Sequence, residues 1–210
     1  VRYRLVQAGE SEPDPSKPLY FALLDDSSYR TGFAIMEPGK APKPLLLDDV
    51  LVTELKQVPQ ADRMVFRMQS FDKPHDVYVT NGKFEQAKPM TRLNPQQKEF
   101  AWGSSRLVRY RAPWGVQLQG VLMSPAKKLE GKSPLVVSVY ERESQGLNAY
   151  RAPTDRVPYG VQRLLQEGYW VLLPDVAYRI GQPGESARQC LEAAVAASIK
   201  VAPGIDPSRV

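Results

Sequence analysis

Two short apolar runs joined by a helical stretch constrain this chain more than any other feature. Pro134-Leu135-Val136-Val137-Ser138-Val139-Tyr140 is almost continuously apolar and opens on proline, the pattern of a strand buried on both faces as in a parallel sheet. Val161, Leu164 and Leu165 then recur at helical spacing, Gly168 stands where a C-terminal cap belongs, and 169–173 forms a second apolar run ending at Pro174-Asp175. Strand, helix and strand in that order predict a βαβ unit, so a parallel sheet begins at this point. Beyond it, Ala187, Leu191, Ala194, Val195, Ser198 and Ile199 share one face of an Ala-rich helix predicted from Ser186 to about Ala202, which Pro203-Gly204 stops. Ser186 and Gln189 have the spacing of a capping box, which assigns Ser186 to the N-cap.

Upstream the pattern is different. Short alternating or apolar runs at 18–24, 30–36, 44–47, 50–55, 63–69 and 76–80 read as strands. Between them stand Asp25-Asp26-Ser27-Ser28, Glu37-Pro38-Gly39-Lys40, Pro59-Gln60-Ala61-Asp62 and Asn81-Gly82-Lys83, which supply the residues a tight reversal needs. This is the signature of antiparallel meanders. Four such strands in roughly 40 to 45 residues make a propeller blade, so this stretch holds about two blades' worth of chain; a β-sandwich has the same strand lengths and turn density. A hairpin follows, 107–111 and 116–123 about the turn Pro113-Trp114-Gly115, and then a polar loop over 124–132.

Charge narrows the partners. The 28 basic and 23 acidic residues give a net charge of +5, but they are interleaved and the longest basic run is Lys127-Lys128, so no nucleic-acid stripe exists and nucleic acid is not expected as a partner. No apolar run approaches the roughly 20 residues of a membrane-spanning helix, so no membrane partner is expected either. With one histidine, His75, one cysteine, Cys190, and no clustered carboxylates, neither a metal nor another cofactor is expected. The chain opens at Val1 with no charged-apolar signal segment, which suits a processed or excised piece and leaves the compartment open.

The chemistry-bearing residues are few. A strained Gly-x-Ser-x-Gly turn, which would expose a nucleophilic serine above a sheet, does not occur; the nearest string is Gly184-Glu185-Ser186-Ala187-Arg188. His75 lies far upstream of the α/β segment and reads as a turn or surface residue. Glu141, Glu143 and Asp175 read as solvated loop residues, since nothing in the sequence fixes their separation. Tyr140 ends the first buried strand, at the sheet edge where α/β proteins place their sites. From the residues alone it is either an oxyanion donor or a core tyrosine with its hydroxyl bonded at that edge.

The order of these features resembles the prolyl oligopeptidase family of serine peptidases, in particular its dipeptidyl-peptidase and acylaminoacyl-peptidase branches. The likeness is carried by Pro74-His75-Asp76-Val77-Tyr78-Val79-Thr80 with Leu93-Asn94-Pro95-Gln96, and by Leu118-Gln119-Gly120-Val121-Leu122-Met123-Ser124-Pro125-Ala126. The run 134–140 adds to it, as do Gly168-Tyr169-Trp170-Val171-Leu172-Leu173-Pro174-Asp175, Gly181-Gln182-Pro183-Gly184 and Ile205-Asp206-Pro207-Ser208-Arg209-Val210. The resemblance implies the C-terminal part of a β-propeller over residues 1–103 and the N-terminal half of an α/β-hydrolase domain over 104–210. It also implies that Tyr140 lends its hydroxyl to an oxyanion hole. Relatives follow this tyrosine with small residues, whereas this chain has Glu141-Arg142-Glu143-Ser144. An Asp-x-Arg-Gly pattern of the family is stretched here into Asp175-Val176-Ala177-Tyr178-Arg179-Ile180-Gly181, which makes Arg179 a substrate-binding or loop-bracing candidate. The nucleophile would follow Val210 within about ten residues, with acid and histidine later. The expected partners are an oligopeptide substrate and the remainder of the same polypeptide, and the 210 residues alone are expected to be inactive. An esterase on the same scaffold and a non-catalytic β-rich binding module are the rival readings.

Overall fold

The computed structural model describes residues 1–6, 12–127, 130–154 and 160–210. They form two compact units, one of residues 1–97 with 148–150 and the other of 98–147 with 151–210. Lys128 and Leu129, in the polar loop predicted over 124–132, lie outside the described residues.

The first unit holds two four-stranded antiparallel sheets in simple up-and-down order. One consists of β1 (Arg2–Val6), β2 (Leu19–Leu24), β3 (Thr31–Met36) and β4 (Lys43–Asp48), the other of β5 (Leu51–Gln57), β6 (Met64–Ser70), β7 (Lys73–Thr80) and β8 (Lys88–Pro89). The predicted reversals are built as their residues suggest. The Asp25 carboxylate accepts from Ser27 N and from the Ser27 and Ser28 hydroxyls, Gly39 turns at φ 72°, and Asn81 Oδ1 accepts from Lys83 N and Glu85 N. Phe33, Val52, Leu55, Met64 and Phe66 form the core, with Phe33 and Phe66 edge-to-face at 5.6 Å. Two strands go beyond the sequence expectation. β1 was not foreseen, and β8 pairs only through Lys88 and Pro89. His75 lies exposed on β7.

The second unit is a mixed sheet with helices. Its elements are β9 (Ser104–Arg111), β10 (Gln117–Ser124), β11 (Leu135–Val137), α1 (Val161–Gln166), β12 (Trp170–Pro174) and α2 (Pro183–Val201). The sheet runs β11-β12-β10-β9, with β11 parallel to β12 and the remaining pairs antiparallel. The strand–helix–strand unit is therefore present, and Gly168 caps α1 at φ 89° as its position predicted. Val108, Tyr110, Leu122, Leu135, Leu172, Ala194, Ala202 and Ile205 make the core beneath α2. No helix among the described residues is long and apolar enough to cross a membrane.

Two expectations need correction. The first buried strand stops at Val137, and Val139 and Tyr140 are exposed at 46% and 72%. The ladder explains this. Trp170 N bonds Pro134 O at 2.9 Å and Ser138 N bonds Leu172 O at 3.0 Å, so the next rung would need an amide hydrogen on residue 174, which is proline. The second concerns α2, which starts at Pro183, with Gln182 as N-cap. Proline is preorganised for the first helical position, so Ser186 falls inside the helix, fully buried, with its hydroxyl donating to Gln182 O at 2.6 Å. Gln189 bonds Glu185 Oε1 instead of reaching back to Ser186. The face predicted from Ala187, Leu191, Ala194, Val195, Ser198 and Ile199 is the one α2 turns to the core, centred on Ser186, Cys190, Ala194 and Ser198 at four-residue spacing.

At Gly120 the backbones of β10 and β12 leave no room for a side chain. The glycine pairs with Pro174, and a Cβ on it would lie 2.8 Å from Pro174 Cα and 2.9 Å from Leu173 O, both backbone atoms that cannot swing away. Gly120→Ala should therefore lose about 1–3 kcal/mol of stability in denaturant unfolding, whereas Gly115→Ala, with nothing within 4 Å, meets only the cost of its φ of 91°.

Candidate functional site

The end of the parallel pair is where this unit displays polar chemistry on a hydrogen-bonded backbone. Tyr140 sits just past the last rung. Its backbone is held on both sides, by Ser138 N to Leu172 O at 3.0 Å and by Val176 N to Glu141 O at 2.9 Å, while its side chain stays 72% exposed. It is not a core tyrosine.

Asp175, the residue after Pro174, secures the segment that follows. It is 8% exposed, which corrects the expectation of a solvated loop carboxylate. Oδ1 accepts from Glu143 N at 2.7 Å and from Ser144 N at 2.9 Å, and Oδ2 accepts from the Ser144 hydroxyl. Its own N–H donates to Gln119 O at 2.9 Å, and its carbonyl accepts from the buried Tyr110 hydroxyl. Three donors on one carboxylate compensate the removal of its charge from water, and they draw the chain into the short 3₁₀ turn Ser144–Gly146. Glu143 lies 3.8 Å from Arg151, and Glu141 is exposed, so these two carboxylates do not pair with Asp175 as an acid–base couple.

Arg179 belongs to a different neighbourhood. Its guanidinium carbon stacks 4.9 Å from the centre of the Trp114 ring, at the β9–β10 turn, and its amide donates to Ser186 Oγ at 3.1 Å. Nε of Arg179 is buried, with no hydrogen-bond partner among the described residues. Sequence reasoning singled out Tyr140 and Arg179, read Asp175 as a solvated loop residue, and did not single out Ser144 or Tyr110. The only signal for them was Pro174-Asp175 at the end of an apolar run. A cavity of about 380 Å³ lined by Arg106, Ser133, Trp170 and Pro203 opens at the other end of β12. Among the described residues no group of three or more His, Cys, Asp or Glu side chains could hold a metal ion.

Comparison with known proteins adds the fold. No protein-family model matches the chain, and no curated protein matches it in sequence. Solved structures do. The apo AtxE2 isopeptidase superposes with a TM-score of 0.68 at 18% identity, covering 93% of this chain and 32% of the isopeptidase. An acylaminoacyl peptidase in complex with Z-Gly-Gly-Phe-chloromethyl ketone gives 0.69 at 16% identity over 97% of this chain and 32% of its own. Dipeptidyl peptidase 4 of Porphyromonas gingivalis gives 0.68 at 15% identity over 93% and 29%. The chain has the fold of a part of these prolyl oligopeptidase-type peptidases. It spans about a third of their length, at identities that speak for fold alone.

The Tyr110 hydroxyl offers a pH test of this geometry. Its pKa is pushed well above the ordinary 10.0, first by burial and then by the nearby charges of Asp175 and Cys190. An acid whose folded pKa is raised contributes stability that is complete below its unfolded pKa and is lost as pH climbs from about 10 toward the folded value. Tyr110→Phe should remove that alkaline decline. It should also cost about 1 kcal/mol near neutrality by leaving Asp175 O unpaired, both read from denaturant unfolding across pH 7 to 11.

Proposed function

We propose that this chain is part of a serine peptidase of the prolyl oligopeptidase family that hydrolyses short peptides through an acyl-enzyme. In this reading residues 1–103 are the C-terminal part of a β-propeller, about two blades, and residues 104–210 are the N-terminal half of an α/β-hydrolase domain. The nucleophile, acid and histidine are supplied by other parts of the same polypeptide, and these 210 residues alone do not turn over substrate. The reading rests above all on one observation: an exposed tyrosine standing off the end of a parallel strand, on a backbone fixed at both sides, in a fold shared with known peptidases.

The chemistry follows from that position. A serine attacks the peptide carbonyl, histidine takes its proton and passes it to the leaving amine, and negative charge gathers on the carbonyl oxygen. Tyr140 and a backbone amide beside the serine donate to that oxygen, and a donor already in place costs no reorganisation as the charge develops. The propeller would admit short peptides in preference to folded proteins. The ketone-bound acylaminoacyl peptidase supports a peptide-like substrate. Arg179, stacked on Trp114, braces the segment between β12 and α2 and is a weaker substrate-binding candidate.

Tyr140→Phe in the full-length enzyme should lower kcat on a chromogenic peptide roughly a hundredfold, with KM nearly unchanged. A fluorophosphonate probe should label a serine outside these residues in both proteins. Absence of any labelling would instead favour a non-catalytic binding module.

A further inference from the structure

We infer that Asp175 is a positioning residue for Tyr140, setting the direction of its hydroxyl through the 141–146 turn; this role rests on the oxyanion reading above. Both carboxylate oxygens of Asp175 are engaged with its neighbours. Its carboxylate oxygens accept from Glu143 N, Ser144 N and the Ser144 hydroxyl, its amide is bonded to Gln119 O, and its carbonyl to the Tyr110 hydroxyl. Every polar group it has is spent on holding neighbours.

What it holds is specific. The two amides and the hydroxyl belong to the third and fourth residues after Tyr140, and the residue after Asp175 bonds Glu141 O, the residue directly after Tyr140. One side of the tyrosine is thus hung from β12 by Ser138, and the other is hung from residues 175 and 176. Through Gln119 and Tyr110 the same aspartate is anchored to β10 and β9, the two antiparallel strands of the sheet. The backbone that carries Tyr140 is therefore tied, through residues 175 and 176, to β12 and to the strands beyond it, β10 and β9. Pro174 ends the ladder, so past Ser138 the backbone bond from Val176 N to Glu141 O is supplemented by the three contacts of the carboxylate to Glu143 and Ser144. A hydroxyl held a fraction of an ångström off line loses much of its effect on a developing oxyanion.

The test is a double-mutant cycle in the full-length enzyme, with active sites counted by fluorophosphonate titration. Asp175→Asn turns one acceptor into a donor facing the donors of Glu143 and Ser144, and should lower kcat by about 10- to 100-fold with KM within roughly twofold of wild type. In a Tyr140→Phe background the same change should lower kcat by less than about twofold, since the group being positioned is gone. Ser144→Ala, which removes only the hydroxyl donor, gives a second and milder series if Asp175→Asn folds poorly. It should cost about three- to tenfold in the presence of Tyr140 and nothing measurable in its absence. Losses of equal size in both backgrounds would overturn the positioning role alone. A Tyr140→Phe enzyme as active as wild type would overturn it together with the oxyanion reading.

Discussion

A carboxylate removed from water survives only if the protein replaces its hydration, and two amides and a hydroxyl do so for the Asp175 carboxylate. That requirement organises the second unit. Each of the three donors comes from a stretch with no ladder of its own, so satisfying the charge and folding the 141–146 turn are one event. Removing the carboxylate would leave two amides with their partner gone, at about 1–3 kcal/mol for each one buried, more than the turn could recover from its own single-turn geometry.

Pro174 and Asp175 act together. Proline withholds the amide that would have continued the β11–β12 ladder, and the aspartate offers an alternative attachment one residue later. The chain after Val137 is released from the sheet and caught again, and the exposed Tyr140 lies in the gap between release and capture. Had residue 174 carried an N–H, a further rung at Ser138 would have drawn Tyr140 back toward the sheet. The chemistry proposed for this unit depends on where a strand ends as much as on which side chain stands there.

The sequence allows these facts to be read unevenly, for physical reasons. Buried strands announce themselves by apolar runs and turns by Asp, Asn and Gly, so β2 to β7, β9, β10, β12 and the reversals between them were legible. Strand β1 was not, because its residues are mostly exposed and its pairing with β2 is long-range. The end of β11 depends on register with a partner more than thirty residues on, which no local pattern encodes. Ser186 fitted a capping box in sequence, but Pro183 started the helix earlier and turned the supposed cap into a buried hydroxyl. Tyr140 and Arg179 could be picked out by their place in a motif order. Asp175 reads as solvated, since a carboxylate in a loop ordinarily is, and only the fold shows three donors converging on it.

Amide hydrogen exchange over residues 138–147 of the full-length protein, compared between wild type and Asp175→Ala, bears on the clamp without involving catalysis. The expected result is slow exchange at Glu143 and Ser144 in the wild type, lost by at least about tenfold in the variant, with exchange in β9 and β10 unchanged. Equal protection of those two amides in both proteins would show that the turn holds itself, and that Asp175 does not organise the segment bearing Tyr140.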